Sequence, residues 1–216
     1  MSELDDPTCE SRRCPVVRLT ALAALALFTT VPLAAEAELM VLDDGAAVAP
    51  FTLMLGDEGN WAQPVPGMWQ AVSSSSGALR LEPEDDGLRA VWDGSRLAQI
   101  YLQAAQPLDV SELAAADAAL VALLKVNGAP EESVELRMAC GYPCQAEADV
   151  TRLFRAVPVD TWGTVSFALS CFTREGLQTD RMDSPFVLAT PGEFSVSLRE
   201  IAIIEDLADK ATVKCD

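Results

Sequence analysis

The stretch "SPFVLATPGEFSVSLREIAII", residues 184–204, holds two apolar runs separated by Pro191 and Gly192, and in the second run apolar residues alternate with polar ones. Alternation with a period of two, in segments rich in Val, Ile and Phe, is typical of β-strands that bury one face. We therefore predict strands over residues 186–189 and 193–204. Apolar strands that are broken by turn residues in this way are the pattern of an antiparallel sandwich.

The same pattern recurs along the chain at intervals of about ten residues, without long helices between the strands. The further predicted strands are 39–42, 51–55, 78–82, 88–92, 98–103, 119–126, 134–139 and 163–171. Predicted helix is confined to residues 110–117 and 148–157, the second with Asp149 as its N-cap. Because neither helix is long enough to build a layer, the sequence predicts an all-β fold: an antiparallel jelly-roll β-sandwich with one or two short helices.

Residues 1–37 have the composition of a signal peptide. Three arginines precede an apolar run from Leu19 to about Ala35, and an A-x-A cleavage motif ends at Ala37. The run is shorter and more interrupted than the roughly 20 apolar residues of a membrane span. We therefore expect cleavage after Ala37, and a retained membrane anchor is the alternative. We expect residues 38–216 to form one domain that is exported to the periplasm or the extracellular space, by a route that the sequence leaves open. The protein would then meet a membrane only if residues 1–37 were uncleaved.

The charge of the chain excludes one class of partner. It carries 15 Lys and Arg against 33 Asp and Glu, a net charge of −18. Removing residues 1–37 leaves 12 bases and 28 acids, a net charge of −16. Such a surface repels phosphate polymers, so nucleic acid is excluded as a partner, and anionic polysaccharides are disfavoured for the same reason. Neutral ligands and basic protein partners remain.

The sequence contains no His. This excludes Ser-His and Cys-His nucleophile pairs and removes the commonest zinc ligand. We predict no catalytic residues in this chain.

The cysteines beyond the predicted signal peptide are Cys140, Cys144, Cys171 and Cys215. An even number of cysteines in an exported protein indicates disulfides, and four cysteines allow three pairings. We expect Cys140 to pair with Cys144 in a tight loop, and Cys171 to pair with Cys215 at the chain end. The alternative is a zinc site formed by all four thiolates, for which a single C-x3-C segment with two dispersed partners is poor support. We therefore predict disulfides and no metal centre.

Two tryptophans lie in the longest irregular stretch, residues 56–78, which we expect to be a binding loop on a rigid scaffold or a tolerated insertion. Flat aromatic faces bind the apolar surface of sugar rings, while neighbouring amides and carboxylates hydrogen-bond the hydroxyls. The candidate sugar-binding residues are Trp61 with Asp57 and Asn60, and Trp69 with Gln70. The alternative is that each ring caps an open end of the sandwich.

Two other features have mainly structural interpretations. Trp92 and Trp162 lie in or beside apolar strands, where we expect them to pack in the core. The acidic stretch "EPEDDG", residues 82–87, offers oxygens of the kind that bind calcium, but it lacks the spacing of an EF-hand. We expect a solvated turn here, with a structural calcium ion as the alternative, and we predict no other cofactor.

Several phrases of the sequence, taken in order, resemble a known family. They are "ELMVLDDGAAVAPFTLMLGDEGNW", "LRAVWDGS", "RMACGYPCQAEADVTRLF", "DTWGTVSFALSCF" and the opening stretch, residues 184–204. Together they resemble the ExoP galactose-binding-like domain, the C-terminal β-sandwich of some bacterial family 3 glycoside hydrolases, which are exo-acting glucan hydrolases and β-glucosidases. The resemblance extends from Leu39 to Cys215, and its most specific parts are the Cys140/Cys144 segment and residues 162–172.

The resemblance implies a galactose-binding-like sandwich and a non-catalytic role, because the family's nucleophile aspartate and its Lys-His motif have no counterpart here. The first hypothesis is an exported carbohydrate-binding-like accessory module for neutral glucans. The alternative is a protein-interaction or structural envelope module that binds no glycan, and an enzyme remnant is a third. The expected partners are a neutral oligo- or polysaccharide, a glycoside hydrolase or an envelope protein.

Overall fold

The structure, a computed structural model, describes residues 38–67 and 70–215. These residues form two antiparallel β-sheets that enclose a large hydrophobic core, together with three short α-helices. The predicted all-β sandwich is therefore confirmed. The predicted signal peptide, residues 1–37, and Trp69 lie outside the described residues.

The strands and helices have the following bounds. The strands are β1 Glu38–Asp43, β2 Ala46–Ala47, β3 Phe51–Asp57, β4 Asn60–Pro64, β5 Val72–Ser73, β6 Leu79–Glu84, β7 Gly87–Asp93, β8 Ala98–Ala104, β9 Ala119–Gly128, β10 Glu135–Ala139, β11 Gln145–Asp149, β12 Trp162–Ala168, β13 Ser184–Thr190 and β14 Glu193–Ile204. The α-helices are α1 Ser111–Ala115, α2 Thr151–Ala156 and α3 Leu169–Arg174, and turns of 3-10 helix cover Thr179–Arg181 and Ala208–Lys210. None of the helices in the described part of the chain has the length and apolar character needed to cross a membrane.

Sheet A is organised around the long strand β14. Its strand order is β12-β9-β14-β7-β6-β5, with β1 also beside β14 and β2 beside β1. The first half of β14 pairs with β7 through Glu193–Leu198, and the second half pairs with β1 through residues 201–204. A register shift between Leu198 and Glu200, in the pairing with β9, separates the two halves. The twelve residues of β14 thus hold three neighbouring strands together.

Sheet B has the strand order β11-β10-β13-β8-β3-β4. Its strand β13 and sheet A's β14 follow each other directly in the sequence, so the turn at Pro191 and Gly192 carries the chain from one sheet to the other. The two runs of residues 184–204 therefore contribute one strand to each layer of the sandwich. This explains why both runs are strongly apolar, since each packs against the opposite sheet and β13 is buried along its whole length.

The core is centred on Trp92, as expected from the sequence. Its side chain is 2 % exposed, and its indole N–H donates a hydrogen bond to the Ala98 carbonyl at 2.9 Å, which links a strand of sheet A to a strand of sheet B. Its ring stacks on Phe194 with the centroids 5.5 Å apart, and Phe154 from α2 lies 5.3 Å from Phe194. Full burial of one such ring stabilises the fold by about 2–3 kcal/mol.

Trp162, in contrast, is not a core residue, and that part of the prediction is wrong. It is half-buried on the outer face of sheet A, because Phe167 on the same strand points inward and alternate residues point the opposite way. Its indole N–H donates to Asp86 at 3.0 Å, and the Lys125 ammonium lies 5.0 Å from its ring centroid. On this surface Trp162 contacts the polar Asp86 and the cationic Lys125 instead of packing against apolar side chains.

The predicted strand over residues 163–171 is wrong at its C-terminal end, because α3 begins at Leu169. Leu169 and Cys171 are buried and continue the alternation of Val165 and Phe167. A period-two pattern therefore does not distinguish a strand from the first turn of a buried helix at this point.

Two further boundaries differ from the predictions. Helix α2 begins at Thr151 because residues 145–149 form β11 beside β10. The N-cap is Val150, so the prediction of Asp149 as the N-cap is wrong, although its carboxylate accepts the Thr151 N–H at 2.9 Å. The stretch 56–78 is less irregular than expected, because it contains β4, which pairs with β3, and the short strand β5.

Candidate functional site

The outer face of sheet B carries a cleft of about 640 Å³. Alternate residues of the central strand β8 point in opposite directions, so Ile100 and Leu102 belong to the core while Tyr101 faces the cleft. The other lining residues come from neighbouring strands and turns. They are Trp61, Leu97, Gln99, Gln103, Arg137, Ala139, Tyr142, Gln145, Asp183, Ser184 and Val187. We call this surface the sheet B cleft.

Tyr101 forms the floor of the sheet B cleft. It belongs to a small apolar cluster with Met54 and Val187, the residues opposite it on β3 and β13. Its hydroxyl donates a hydrogen bond to the Trp61 carbonyl oxygen at 2.9 Å. Burial, and then the negative charge of Asp183, raise the pKa of Tyr101 above its ordinary value. The hydroxyl therefore keeps its proton and its hydrogen bond to Trp61 at neutral pH.

One wall of the cleft is the hairpin segment of residues 57–64, which we call the Trp61 wall. Trp61 is 45 % exposed and lines the cleft. The hairpin approaches the sheet closely at Gly56, where a Cβ would lie 2.9 Å from the Trp61 carbonyl oxygen and 3.0 Å from the Gln99 side chain. Only a residue without a side chain leaves room for this approach.

Asp57 anchors the Trp61 wall. It is fully buried, and its carboxylate accepts the backbone N–H groups of Gly59 at 2.8 Å and Asn60 at 3.1 Å. The Ser76 N–H and hydroxyl each donate to it at 2.7 Å. Burial raises the pKa of Asp57, but these hydrogen bonds and one from the Ser74 hydroxyl outweigh it and hold the pKa well below its usual range. Because all these partners belong to the protein, we infer that Asp57 positions Trp61 rather than touching a sugar.

The remaining residues predicted from the sequence are dispersed. Asn60 is exposed at the tip of the same hairpin, where its side-chain oxygen accepts the Ala62 N–H at 3.0 Å. Gln70 is exposed beyond the Trp61 wall and is not among the residues that line the sheet B cleft. Trp69 lies outside the described residues. The structure thus brings Trp61 into the cleft, while sugar contacts by Asn60, Trp69 and Gln70 stay predictions.

The opposite wall is the turn between β10 and β11, residues 140–144, which we call the Tyr142 wall. A disulfide joins Cys140 to Cys144, and the Cys140 N–H donates to the Cys144 carbonyl at 2.9 Å. Arg181 Nε donates to the Cys140 carbonyl at 3.0 Å and fixes the base of the turn. Tyr142, at the tip, is 96 % exposed. Sequence reasoning missed it, although an aromatic residue between two cysteines predicted to pair is a signal for a ring held out on a closed loop.

Polar groups lie between the two walls. The amide side chains, which both donate and accept hydrogen bonds, are those of Gln99, Gln103 and Gln145. Arg137 pairs with Glu135 on its own strand and with Glu147 on β11, where Nε and Oε2 are 3.3 Å apart. Asp183 completes the polar lining. Exposed rings at the ends of a cleft, with amides and charges between them, are the elements of sugar recognition.

A second depression, of about 500 Å³, lies at the edge of the sandwich beside residues 44–47 and 65–67. The aromatic side chain among its described lining residues is that of Phe51, which is 6 % exposed. A ring buried to this degree has no free face for a sugar to stack on. The sheet B cleft is therefore the better candidate for a carbohydrate site.

The second disulfide joins Cys171 to Cys215. Both predicted pairings are confirmed, and the zinc alternative is wrong because the thiols are used in disulfides. In the acidic stretch of residues 82–87, Glu84 lies 3.6 Å from the Lys125 ammonium. Across residues 38–67 and 70–215, no three His, Cys, Asp or Glu side chains are grouped so that they could hold a metal ion.

Residues 49–203 match the family model Exop_C, which is described as galactose-binding domain-like. The match spans more than half of the chain. The chain belongs to the Exop_C family. No curated protein matches it.

Solved structures share the fold of this Exop_C domain. The extra C-terminal domain of the exo-1,3/1,4-β-glucanase ExoP from a Pseudoalteromonas species superimposes with a TM-score of 0.63 at 16 % identity, over 82 % of this chain and 98 % of that domain. Against the whole ExoP glucanase the TM-score is again 0.63 at 15 % identity, over 83 % of this chain and 21 % of the enzyme. The Exop_C domain thus spans about a fifth of that enzyme.

A carbohydrate-binding module has the same fold. The family 30 module of the cellulosomal cellulase Cel9D-Cel44B of Clostridium thermocellum superimposes with a TM-score of 0.54 at 14 % identity, over 79 % of this chain and 98 % of the module. At these identities the likeness establishes the fold. The family model and these matches confirm the predicted galactose-binding-like sandwich.

Proposed function

We propose that this Exop_C domain is an exported, non-catalytic module that binds neutral glucan chains in the sheet B cleft. The observation that carries the proposal is the pair of exposed rings, Trp61 and Tyr142, on opposite walls of an amide-lined cleft. Rings of this kind stack on the apolar faces of pyranoses, and amides hydrogen-bond the hydroxyls between them.

The separation of the two walls favours an extended ligand. Trp61 lies on β4 and Tyr142 beyond β10, and the strands β3, β8 and β13 lie between them. Four inter-strand spacings of about 4.8 Å separate β4 from β10, about 19 Å in all. A single pyranose ring is much shorter than this distance. We therefore propose that several consecutive sugar units occupy the cleft.

The net charge of the chain and its structural similarity to domains of glucan-acting enzymes favour neutral β-glucans as the ligand. The chain has a net charge of −18, which repels acidic polysaccharides. The ExoP enzyme that carries a domain of the same fold is an exo-1,3/1,4-β-glucanase, and the family 30 module belongs to a cellulase. Both names refer to enzymes of β-linked glucans.

Export is part of the proposal. Two disulfides are compatible with an oxidising compartment such as the periplasm or the extracellular space, and residues 1–37 have the composition of a signal peptide. Sequencing the N-terminus of the native protein after cell fractionation tests this point. Intact residues 1–37 on a cytosolic protein would contradict it.

Calorimetry and affinity electrophoresis test glycan binding. The panel contains β-1,3-, β-1,4- and mixed-linkage glucans, with an α-glucan for comparison. We expect binding to a β-glucan, and a loss of about tenfold or more in affinity for Trp61→Ala and for Tyr142→Ala, because truncation of a stacking ring removes a dominant contact. Trp69→Ala is measured beside them because the sequence predicts it as a contact.

Val159→Ala is the matched control. Val159 is 50 % exposed, and the next residue along the chain, Asp160, bonds to Val126 of sheet A, so the change removes an exposed apolar side chain away from the cleft. We expect no change in affinity. If the wild-type protein binds no glycan at millimolar concentration, the proposal fails. The alternative, a protein-interaction module for a glycoside hydrolase or an envelope protein, then becomes the hypothesis to test.

A further inference from the structure

We propose that Asp183 sets the charge preference of the sheet B cleft, so that the cleft accepts neutral glucans and cationic amino-sugar polymers and rejects uronate polymers. This inference rests on the proposed function, because it concerns the same cleft. It assigns the polar contact that the two aromatic walls do not supply.

The backbone of Asp183 is rigidly held. Its N–H donates to the Ala139 carbonyl at 3.0 Å, and its carbonyl accepts the Ala104 N–H at 2.7 Å. These bonds tie it to the ends of β10 and β8, on either side of the point where β13 begins. The carboxylate is therefore presented to the cleft from a fixed position rather than from a flexible loop.

One oxygen of the Asp183 carboxylate, Oδ1, is buried and has no hydrogen-bond partner among the described residues. A buried acceptor without a donor is costly. A rotation of the side chain that turns this oxygen into the cleft would relieve the cost, with ligand hydroxyl or ammonium groups as the donors. Asp57 shows the contrast, since four hydrogen bonds from the protein occupy its carboxylate.

The charges around the cleft favour the same ligands. The charge of Arg137 is offset by its ion pairs with Glu135 and Glu147, although its Nε has no hydrogen-bond partner among the described residues. The Arg181 guanidinium reaches towards Gly141, 3.4 Å from where a Cβ would lie there. The two arginines contribute two positive charges, against three negative charges from Glu135, Glu147 and Asp183. A cationic ligand is therefore attracted to this cleft, and an anionic one is repelled.

The test compares three oligosaccharides of equal length: a mixed-linkage β-glucan, a fully deacetylated glucosamine polymer with its amino groups protonated, and a polygalacturonate. We expect the wild-type protein to bind the amino sugar at least as tightly as the glucan and to bind the uronate more weakly than either. Asp183→Asn should lower affinity for the glucan and the amino sugar by about tenfold, because a charge-assisted hydrogen bond is lost. Added salt should reduce the preference for the amino sugar.

Asp209→Asn is the matched control, because it removes the same charge from an exposed position in the 3-10 turn beside β12 of sheet A. It should leave all three affinities unchanged. If Asp183→Asn also leaves the order of affinities unchanged while Trp61→Ala still abolishes binding, the inference about Asp183 is overturned and the proposed function stands. If the wild-type protein binds none of the three, the proposed function fails with it.

A second variant covers the case in which Asp183→Asn does not fold. Glu147→Gln lies on the exposed edge strand β11 and releases one ion pair of Arg137. The cleft then has one negative charge fewer, so affinity for the uronate should rise and affinity for the amino sugar should fall. Unchanged affinities for both would contradict the charge preference.

Discussion

The two walls of the sheet B cleft present similar rings but are held by different chemistry. Hydrogen bonds to the buried Asp57 carboxylate hold the Trp61 wall, and two of them come from Ser76, in the turn between β5 and β6 of sheet A. A disulfide between residues only four positions apart holds the Tyr142 wall. The first anchor joins the edges of two sheets, whereas the second closes one turn.

This difference predicts what is lost when the anchor of each wall is removed. The Trp61 wall depends on the ionised state of one carboxylate and on the packing of the two sheets, so its loss should also cost stability. The Tyr142 wall depends on an oxidised cysteine pair and on the Arg181 hydrogen bond to the Cys140 carbonyl, without a bridge to sheet A. Variants at the two anchors should therefore separate stability from binding.

Of the two wall anchors, Asp57 should show the larger effect on stability, in the variant Asp57→Ala. The change leaves the Gly59, Asn60 and Ser76 N–H groups without their acceptor, and we expect the free energy of unfolding to fall by about 3 kcal/mol. Urea denaturation measures this, and glucan affinity should fall as well because the Trp61 wall loses its anchor.

Asp93→Ala provides the comparison for Asp57→Ala. Asp93 forms a similar but exposed turn, with one oxygen accepting the Ser95 N–H at 2.8 Å. Its replacement should cost less than about 1 kcal/mol, because water can take the place of the carboxylate. Equal losses of unfolding free energy for the two variants would show that the hydrogen bonds from Ser76 to Asp57 contribute no more to stability than an exposed turn does.

The next effect is expected for the double variant Cys140→Ala/Cys144→Ala. Because the disulfide closes a very short loop, its removal should lower the free energy of unfolding by at most about 2 kcal/mol. Glucan affinity should fall by about threefold to tenfold, since the ligand must then order a mobile Tyr142 wall. Calorimetry on the oxidised and variant proteins measures both quantities.

Cys171→Ala/Cys215→Ala is the control for that experiment. Its cysteines are 44 residues apart, so loss of this disulfide should cost about 4 kcal/mol and leave the affinity of the folded protein unchanged. If both double variants lose affinity equally, the Cys140–Cys144 disulfide has no particular role in the cleft.

The sandwich was predictable because its information is local. The apolar runs, residues 184–204 among them, identified strands that the structure confirms. An even number of cysteines in a chain predicted to be exported indicated disulfides, and the two expected pairs are present. The exceptions have a local cause as well. In α3, Leu169 and Cys171 fit both a strand and the start of a helix, and Trp162 was assigned to the core from its apolar neighbours although the parity of Phe167 turns it outward.

Only half of the candidate site was predictable, because the other half depends on strand order. Trp61 was found from its own loop. Tyr142 lies opposite it only because sheet B runs β11-β10-β13-β8-β3-β4, an order that no local pattern specifies. Asp57 was predicted as a sugar contact, and that stays a prediction. Its spacing to Gly59 and Asn60 is that of a side chain that caps its own turn, and this signal favours the anchor role that we infer.

A smaller effect is expected from acid. Since the pKa of Asp57 is lowered in the folded protein, its contribution to stability is present above the unfolded-state pKa of about 3.9 and is lost as the pH falls towards the folded value. The difference in unfolding free energy between the wild-type protein and Asp57→Asn should be constant from pH 7 to about pH 5 and should shrink by at most about 1 kcal/mol by about pH 3. Denaturation curves at each pH measure it, and a difference that grows on acidification would have the wrong sign.

The smallest expected quantity is the coupling between the two walls. Trp61 lies on β4 and Tyr142 follows β10, strands that are four spacings, about 19 Å, apart in sheet B, so we expect the two rings to stack on different sugar units of one chain and not to share a contact. A double-mutant cycle with Trp61→Ala, Tyr142→Ala and the double variant should then give additive losses of binding free energy, within about 0.5 kcal/mol. A ligand too short to reach both walls should respond to one substitution and not to the other. Strong coupling with a short ligand would mean instead that the walls close on a single sugar, and the cleft would then select a chain end rather than an extended chain.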